Sequence, residues 1–177
     1  PTVTPNAVWS VFDYAVVVAN TGDNIVDVSV DQGGAPIQTA QIQPNSLQTI
    51  YLPWVPELKG PDADAIGNAQ PVTQSILSVG GAYHLTSTFP VTVYQFNALE
   101  YAPVGGPPGK NWSSCPADGV AVQCFSYSND ASLLVPTTAL TGNYRVFGHA
   151  GLAGAQIPPY AVVTATEDAT NVTFNVG

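Results

Sequence analysis

The residues of this sequence that could do chemistry are few and widely separated. Its two histidines are His84 and His149, and a serine nucleophile needs a histidine that is itself partnered by an acid. His84 falls within a predicted strand and His149 beside a glycine-rich loop, positions typical of structural and solvated histidines. Neither a Gly-x-Ser-x-Gly elbow nor a His-Glu-x-x-His zinc motif occurs. We therefore predict that the chain is not an enzyme and assign no catalytic residue.

The acidic residues form two weak patterns that would suit a metal ion. Asp62 and Asp64 alternate in a loop, and Glu100 and Asp130 form a second candidate set. Calcium takes six to eight oxygen ligands of this kind, so it is the metal we consider, and no other cofactor is predicted. The alternative is that these side chains are solvated or shape turns. Glu100, Asp130, Glu167 and Asp168 could supply the two carboxylates of a glycosidase, but spacing alone does not pair them across a cleft.

Three aromatic residues are candidates for binding a partner. Trp54 and Trp112 each fall in one of two long loops, and Tyr101 lies near the start of the second loop. Exposed aromatic rings on loops can stack on sugars or anchor a protein partner. The alternative is that these rings cover the ends of the hydrophobic core.

The chain has two cysteines, Cys115 and Cys124, in a loop-like stretch. They are either free thiols or a disulfide. The few lysines and the many Thr, Asn, Gly and Pro residues are typical of extracellular proteins, so we favour a disulfide and an extracellular or cell-surface location.

The composition excludes several classes of protein. Of 177 residues, 45% are hydrophobic and only 8% are charged, with a net charge of -9. Three basic residues, Lys59, Lys110 and Arg145, cannot neutralise a run of phosphates, which argues against nucleic-acid binding. No apolar run reaches the roughly 18 residues that a membrane span needs, so no membrane insertion is expected.

The elements that must position these residues are predominantly strands. Sixteen glycines and sixteen prolines divide the chain into short segments, several of which are β-branched or alternate in polarity. Strands are predicted at 14–20, 25–30, 35–42, 47–52, 72–79, 82–87, 90–97 and 144–149, with two more in 160–176. The first two should form a hairpin. Two long Pro/Gly-rich loops, 53–70 and 98–118, separate other strands.

The last segment repeats the first. YAVVTA at 160–165 matches YAVVVA at 14–19 in five of six positions, and without gaps Val172 falls on Val26 and Val176 on Val30. We therefore predict one sandwich domain over 1–177, with residues 160–177 as the opening hairpin of a second unit. A truncated unit would leave an unpaired edge that this fold or a neighbouring chain must cover.

Four segments together resemble the IgGFc-binding protein N-terminal domain family and its bacterial surface relatives. They are YAVVVANTGDNIVDVSV, PVTVYQFNALEY, YSNDASLLVPTTALTGNYRV and YAVVTATEDATNVTF, of which the third is the most specific. The resemblance implies an extracellular β-rich module of surface, adhesive or mucus-associated proteins, without catalytic activity. Family members usually continue further, so it also implies the front part of such a domain or a compact relative.

The sequence thus predicts an all-β fold, an antiparallel β-sandwich of Ig-like or jelly-roll type with two long Pro/Gly-rich loops. The first functional prediction is a non-catalytic extracellular structural or adhesive module that acts through protein–protein contacts. Its partner would be another protein or itself, as a subunit of a surface filament that assembles by strand addition. The added strand would be either the N-terminal segment Pro1 to Ala7 or the last strand of the chain. The alternative is a carbohydrate-binding module that uses the loop aromatics.

Overall fold

The computed structural model describes residues 11–59, 74–113, 115, 124–126, 129–148 and 159–175. By its internal contacts the chain divides into two compact units, Pro1–Leu134 and Val135–Gly177. The first unit holds all the strands among the described residues.

The first unit consists of two antiparallel sheets. The strands are β1 Tyr14–Asn20, β2 Val26–Gln32, β3 Ala35–Ile42, β4 Ser46–Leu52, β5 Tyr83–Ser87, β6 Thr92–Asn97 and β7 Asp130–Leu134. A four-stranded sheet has the order β4-β1-β6-β7, and a three-stranded sheet has the order β3-β2-β5. The predicted all-β sandwich is confirmed.

The core lies between the sheets and is built by alternation along the strands. Val26, Val28 and Val30 of β2 are at most 2% exposed, while the intervening Asp27 and Ser29 face outward. Alternating burial of this kind is typical of a sheet with one face packed on the core and the other exposed to solvent. The other side of the core comes from the four-stranded sheet: Val16, Val18, Ile50, Leu52 and Val93.

The predicted hairpin of β1 with β2 is wrong. β1 pairs with β4 and β6, whereas β2 pairs with β3 and β5, so residues 21–25 cross from one sheet to the other. Asn20, 1% exposed, fixes this crossing. Its Nδ2 lies 2.7 Å from the Asn24 carbonyl oxygen and 3.1 Å from that of Ile42, and its Oδ1 accepts the Gly22 N–H. The turn residues at 21–24 predict a hairpin, but each of the two strands lies in the interior of its own sheet, with a partner on both sides.

Two predicted segments differ from the structure. The loop at 53–70 contains a one-turn helix, α1 Pro56–Lys59, and its remainder from residue 60 lies outside the described residues. The strand predicted at 72–79 is wrong over 74–79, which form no strand. Residues 98–113 form no helix or strand, as the second loop prediction requires.

The second unit contains no strand among its described residues. Its only regular element there is a single 3-10 turn at Thr137–Ala139. The strands predicted at 144–149 and 160–176 are therefore wrong over 144–148 and 160–175. The physical reason is that a strand needs a hydrogen-bonded neighbour, and every described residue of this unit is exposed.

Candidate functional site

The predicted aromatic residues meet the sandwich at the start of β1. Trp54 follows β4, and its indole N–H donates to the Phe12 carbonyl oxygen at 2.9 Å. Its ring lies 5.3 Å from that of Tyr14, and the Lys59 ammonium lies 5.7 Å from the indole centroid. Trp54 is thus half-buried and bound to the body of the sandwich rather than presented from a loop.

Trp112 holds the second loop in the same way. Its indole N–H donates to the Gly105 carbonyl oxygen at 3.0 Å, and its ring lies 5.4 Å from that of Phe12. Phe12 is 3% exposed, so it acts as the anchor for the loop. The structure favours the alternative that both tryptophans cover the end of the core. Sequence reasoning missed Phe12, whose only signal is an aromatic residue just before a strongly apolar strand.

The predicted Cys115–Cys124 disulfide is confirmed, with 5.5 Å between the two Cα atoms. Cys124 is 2% exposed and forms a small second core with Phe12 and Ala98. Trp112 and Cys115 pack against that core. The disulfide therefore ties both ends of its own loop to the same apolar anchor. Such bonds are typical of oxidising compartments.

A charged cluster lies beside this anchor. The Lys110 ammonium is 2.8 Å from Asp13 Oδ2, a contact with the distance of an ion pair but without the angle of a hydrogen bond. Lys110 also donates to the Val11 carbonyl oxygen and lies 4.8 Å from the Trp112 ring centroid. Glu100, 7% exposed, accepts the Asp13 N–H at 3.1 Å. Lys110 thus pairs with the Asp13 carboxylate and joins the second loop to the segment before β1, while Glu100 binds the backbone of Asp13.

Tyr51 completes the charged cluster. Partial burial, together with the hydrogen bond and negative charge of Glu100, raises the pKa of the Tyr51 phenol to about 12. The phenol therefore stays protonated as a donor beside the carboxylates. The cluster contains no nucleophile paired with a base. Its Lys110 ammonium supplies the positive charge beside the Asp13 carboxylate, where a metal ion would otherwise be needed.

The calcium prediction is not supported by a ligand set. Glu100 is engaged with Asp13, whereas Asp130 is an exposed residue at the start of β7, opposite Asn97. Asp62 and Asp64 lie outside the described residues. Within the part of the chain that the structure describes, no three His, Cys, Asp or Glu side chains are grouped as a metal ion would need. Calcium binding stays a prediction.

Tyr101 is the one predicted binding residue whose ring stays largely open. It is 56% exposed and stacks on Phe125 with 4.9 Å between ring centroids. The Tyr101 carbonyl oxygen accepts the Ser126 N–H at 3.0 Å. The ring is thus held by the segment that follows the disulfide.

The outer faces of the two sheets differ in polarity. On the four-stranded sheet, Val17, Tyr94 and Leu133 follow one another across β1, β6 and β7. Tyr94 and Leu133 are 41% and 56% exposed. The equivalent row on the three-stranded sheet is Thr39, Ser29 and Thr86. This row is thus partly apolar on the four-stranded sheet and polar on the three-stranded sheet.

Each side of the sandwich ends in two edge strands that have a single hydrogen-bonded partner each among the described residues. β3 and β4 are joined by a short turn and line a common groove on one side. On the opposite side β5 pairs only with β2, and β7 only with β6, among the described residues. We call the free edges of β5 and β7 the open side.

No helix among the described residues is long and apolar enough to span a membrane. The chain matches no protein-family model, no curated protein and no solved structure.

Proposed function

We propose that this chain is a non-catalytic extracellular module that acts through protein–protein contacts and assembles with copies of itself by strand addition. Such a module would have a structural or adhesive role at a cell surface. The family resemblance of its four segments and the Cys115–Cys124 disulfide support this proposal.

The observation that carries the proposal is the exposure of apolar residues in the second unit. Tyr160, Val162, Val172 and Phe174 are 78%, 64%, 50% and 61% exposed. Exposed apolar side chains that lie close together often mark a site that a partner covers. The exposure of these four residues supports a protein surface as their partner.

The charge distribution supports a partner of the same kind. The exposed segment at 160–165 and the strand β5 contain no charged residue. Edge strands that avoid pairing usually bear lysines or prolines, and these segments have neither. Contact between copies at these segments costs no local charge repulsion, despite the net charge of -9.

Sedimentation velocity of the pure full chain over a wide concentration range tests self-assembly, with negative-stain electron microscopy to show the form of the product. We expect species larger than a monomer that increase with concentration. A chain that stays monomeric at the highest concentration, with no filaments in the micrographs, would contradict self-assembly.

Carbohydrate binding has one remaining observation in its favour, the exposed Tyr101 ring on Phe125. Tyr101→Ala on a glycan array is its test, with Trp54→Phe as the control, since that change keeps an aromatic ring. Binding by the wild type that only Tyr101→Ala abolishes would favour this second function.

A further inference from the structure

We propose that residues 160–165 of one copy add as a strand to the free edge of β5 in a second copy, opposite β7. This inference rests on the proposed function, since it names the donor and the acceptor of the self-assembly. Its support comes from the strand count, the edge residues and the internal repeat.

The acceptor is a place where the sandwich lacks one strand. Among the described residues the four-stranded sheet faces a sheet of three, which leaves β7 without a strand opposite it. All five residues of β7 are exposed, and Leu134 is 39% exposed although its register partner Val93 is 9% exposed. Leu85 of β5 is likewise only half-buried beside the fully buried Val30. One further strand next to β5 would cover both leucines.

The other side of the sandwich is protected from strand addition. β3 contains Pro36, and Pro107 and Pro108 line the groove beside β4. Proline lacks the N–H that a new ladder requires, so proteins use it to blunt sheet edges. Neither β5 nor β7 contains proline, lysine or arginine. The open side is therefore the edge that accepts a strand.

The donor has the sequence of a strand that already belongs to this fold. Residues 160–165 differ from residues 14–19 only by Thr164 in place of Val18. In β1, Val16 and Val18 are 3% and 0% exposed, whereas Val162 at the position of Val16 is 64% exposed. The segment thus has nearly the sequence of a strand that is largely buried in this fold, without the burial. Addition to a sheet edge supplies both the hydrogen bonds and the burial.

The repeat also predicts which side chains of the donor face inward. Val162 corresponds to the buried Val16 and Val163 to the outward Val17. Val162→Asp should therefore block donation, because it would bury a carboxylate without a partner. Val163→Asp is its matched control and should assemble as the wild type does. On the acceptor, Leu134→Asp should block the open side, with Leu47→Asp on the exposed face of β4 as the control.

Mixing the two blocked variants tests the arrangement. Val162→Asp and Leu134→Asp should each sediment as monomers, with loss of all larger species. Mixed in equal amounts they should give dimers but no longer assemblies, because one intact donor meets one intact acceptor. Far-UV circular dichroism of each variant checks that the sandwich is folded.

The outcomes separate this inference from the proposed function. A monomeric wild type would overturn self-assembly and this arrangement together. A wild type that assembles, with both blocked variants assembling as well, would overturn only the donor and acceptor named here. Blocked variants that stay monomeric when mixed would also overturn them, since complementation is what a donor and an acceptor on different copies require.

Discussion

Lys110 and Asp13 join the second loop to the segment before β1, with 2.8 Å between ammonium and carboxylate. Both side chains are about four-fifths buried, with 18% and 21% relative exposure. The same carboxylate residue donates its backbone N–H to Glu100. Without Lys110, two negative charges would share one poorly hydrated place, so this lysine is a structural cation.

Lys110→Met keeps most of the aliphatic stem and removes the charge. We expect a loss of about 1–2 kcal/mol in the free energy of unfolding, less than for a fully buried pair because the cluster is partly hydrated. Asp13→Asn in the Lys110→Met background should restore part of that loss, because it removes the negative charge that Lys110 neutralises. Urea unfolding measures Lys110→Met, Asp13→Asn and the double variant. A double variant that is less stable by the full sum of the single changes would contradict the pairing.

The stability of the sandwich should fall at alkaline pH through Tyr51. The folded-state pKa of its phenol is raised to about 12 from an ordinary value of 10.0, so the folded state holds this proton more tightly than the unfolded state. The contribution is complete below pH 10 and is lost as the pH rises from 10 towards 12. Burial also raises the pKa of Tyr14 and of Tyr83, which adds to the same loss.

Tyr51→Phe isolates this contribution in urea unfolding at pH 9 and pH 11.5. The variant should be less stable at pH 9 and should lose less stability than the wild type between the two values. Tyr94→Phe, on the outer face of the same sheet, is the control and should keep the wild-type decline. An unchanged slope in Tyr51→Phe would show that the phenol does not carry the effect.

Removing the disulfide should loosen the end of the sandwich at Phe12. On the chain-entropy account, a cross-link between residues nine positions apart contributes about 2–3 kcal/mol. Cys115→Ser removes the bond at the half-buried end, while Cys124→Ser also places a hydroxyl in the small core with Phe12 and Ala98. Thermal unfolding should therefore show a larger decrease for Cys124→Ser. Equal melting temperatures would contradict the packing described for Cys124.

The sequence predicts where the strands lie better than it predicts which strands pair with one another. β1 and β3 have the bounds that the sequence predicts, because β1 is a continuous β-branched run and turn residues flank β3. Pairing leaves no such pattern, so the connection from Asn20 to Val26 looks like a hairpin although it crosses between sheets.

In the candidate site, too, the sequence identifies residues but does not identify their contacts. The two cysteines and the tryptophans are recognisable as residues that matter, but their roles depend on contacts across many positions. Trp112 is fixed by Phe12, and Lys110 by Asp13, and neither partner carries a local signal. An aromatic residue in a Pro/Gly-rich loop therefore predicts a contact without saying whether a ligand or the core makes it.

Asn20 should be among the most sensitive polar residues of the first unit. It is 1% exposed and bridges the end of β1, the crossing and the end of β3. Asn20→Ala leaves buried carbonyl oxygens without a donor, at a cost of about 2–4 kcal/mol in the free energy of unfolding. Asn24→Ala is the control, because Asn24 contributes only its backbone oxygen, and should cost less than about 0.5 kcal/mol. Chemical unfolding that ranks the two alike would contradict the bridging role.

Val26 and Val172 occupy equivalent positions of the internal repeat but have different surroundings. Val26 is 0% exposed and Val172 is 50% exposed. Val26→Ala should destabilise the chain by about 2 kcal/mol, because it leaves a cavity in the core of the first unit. Val172→Ala should leave the unfolding of the dilute chain unchanged, since the side chain buries little there. If copies of the chain bury this residue on assembly, Val172→Ala should weaken self-association in sedimentation velocity. Val26→Ala, measured at a temperature at which the variant stays folded, should leave self-association unchanged.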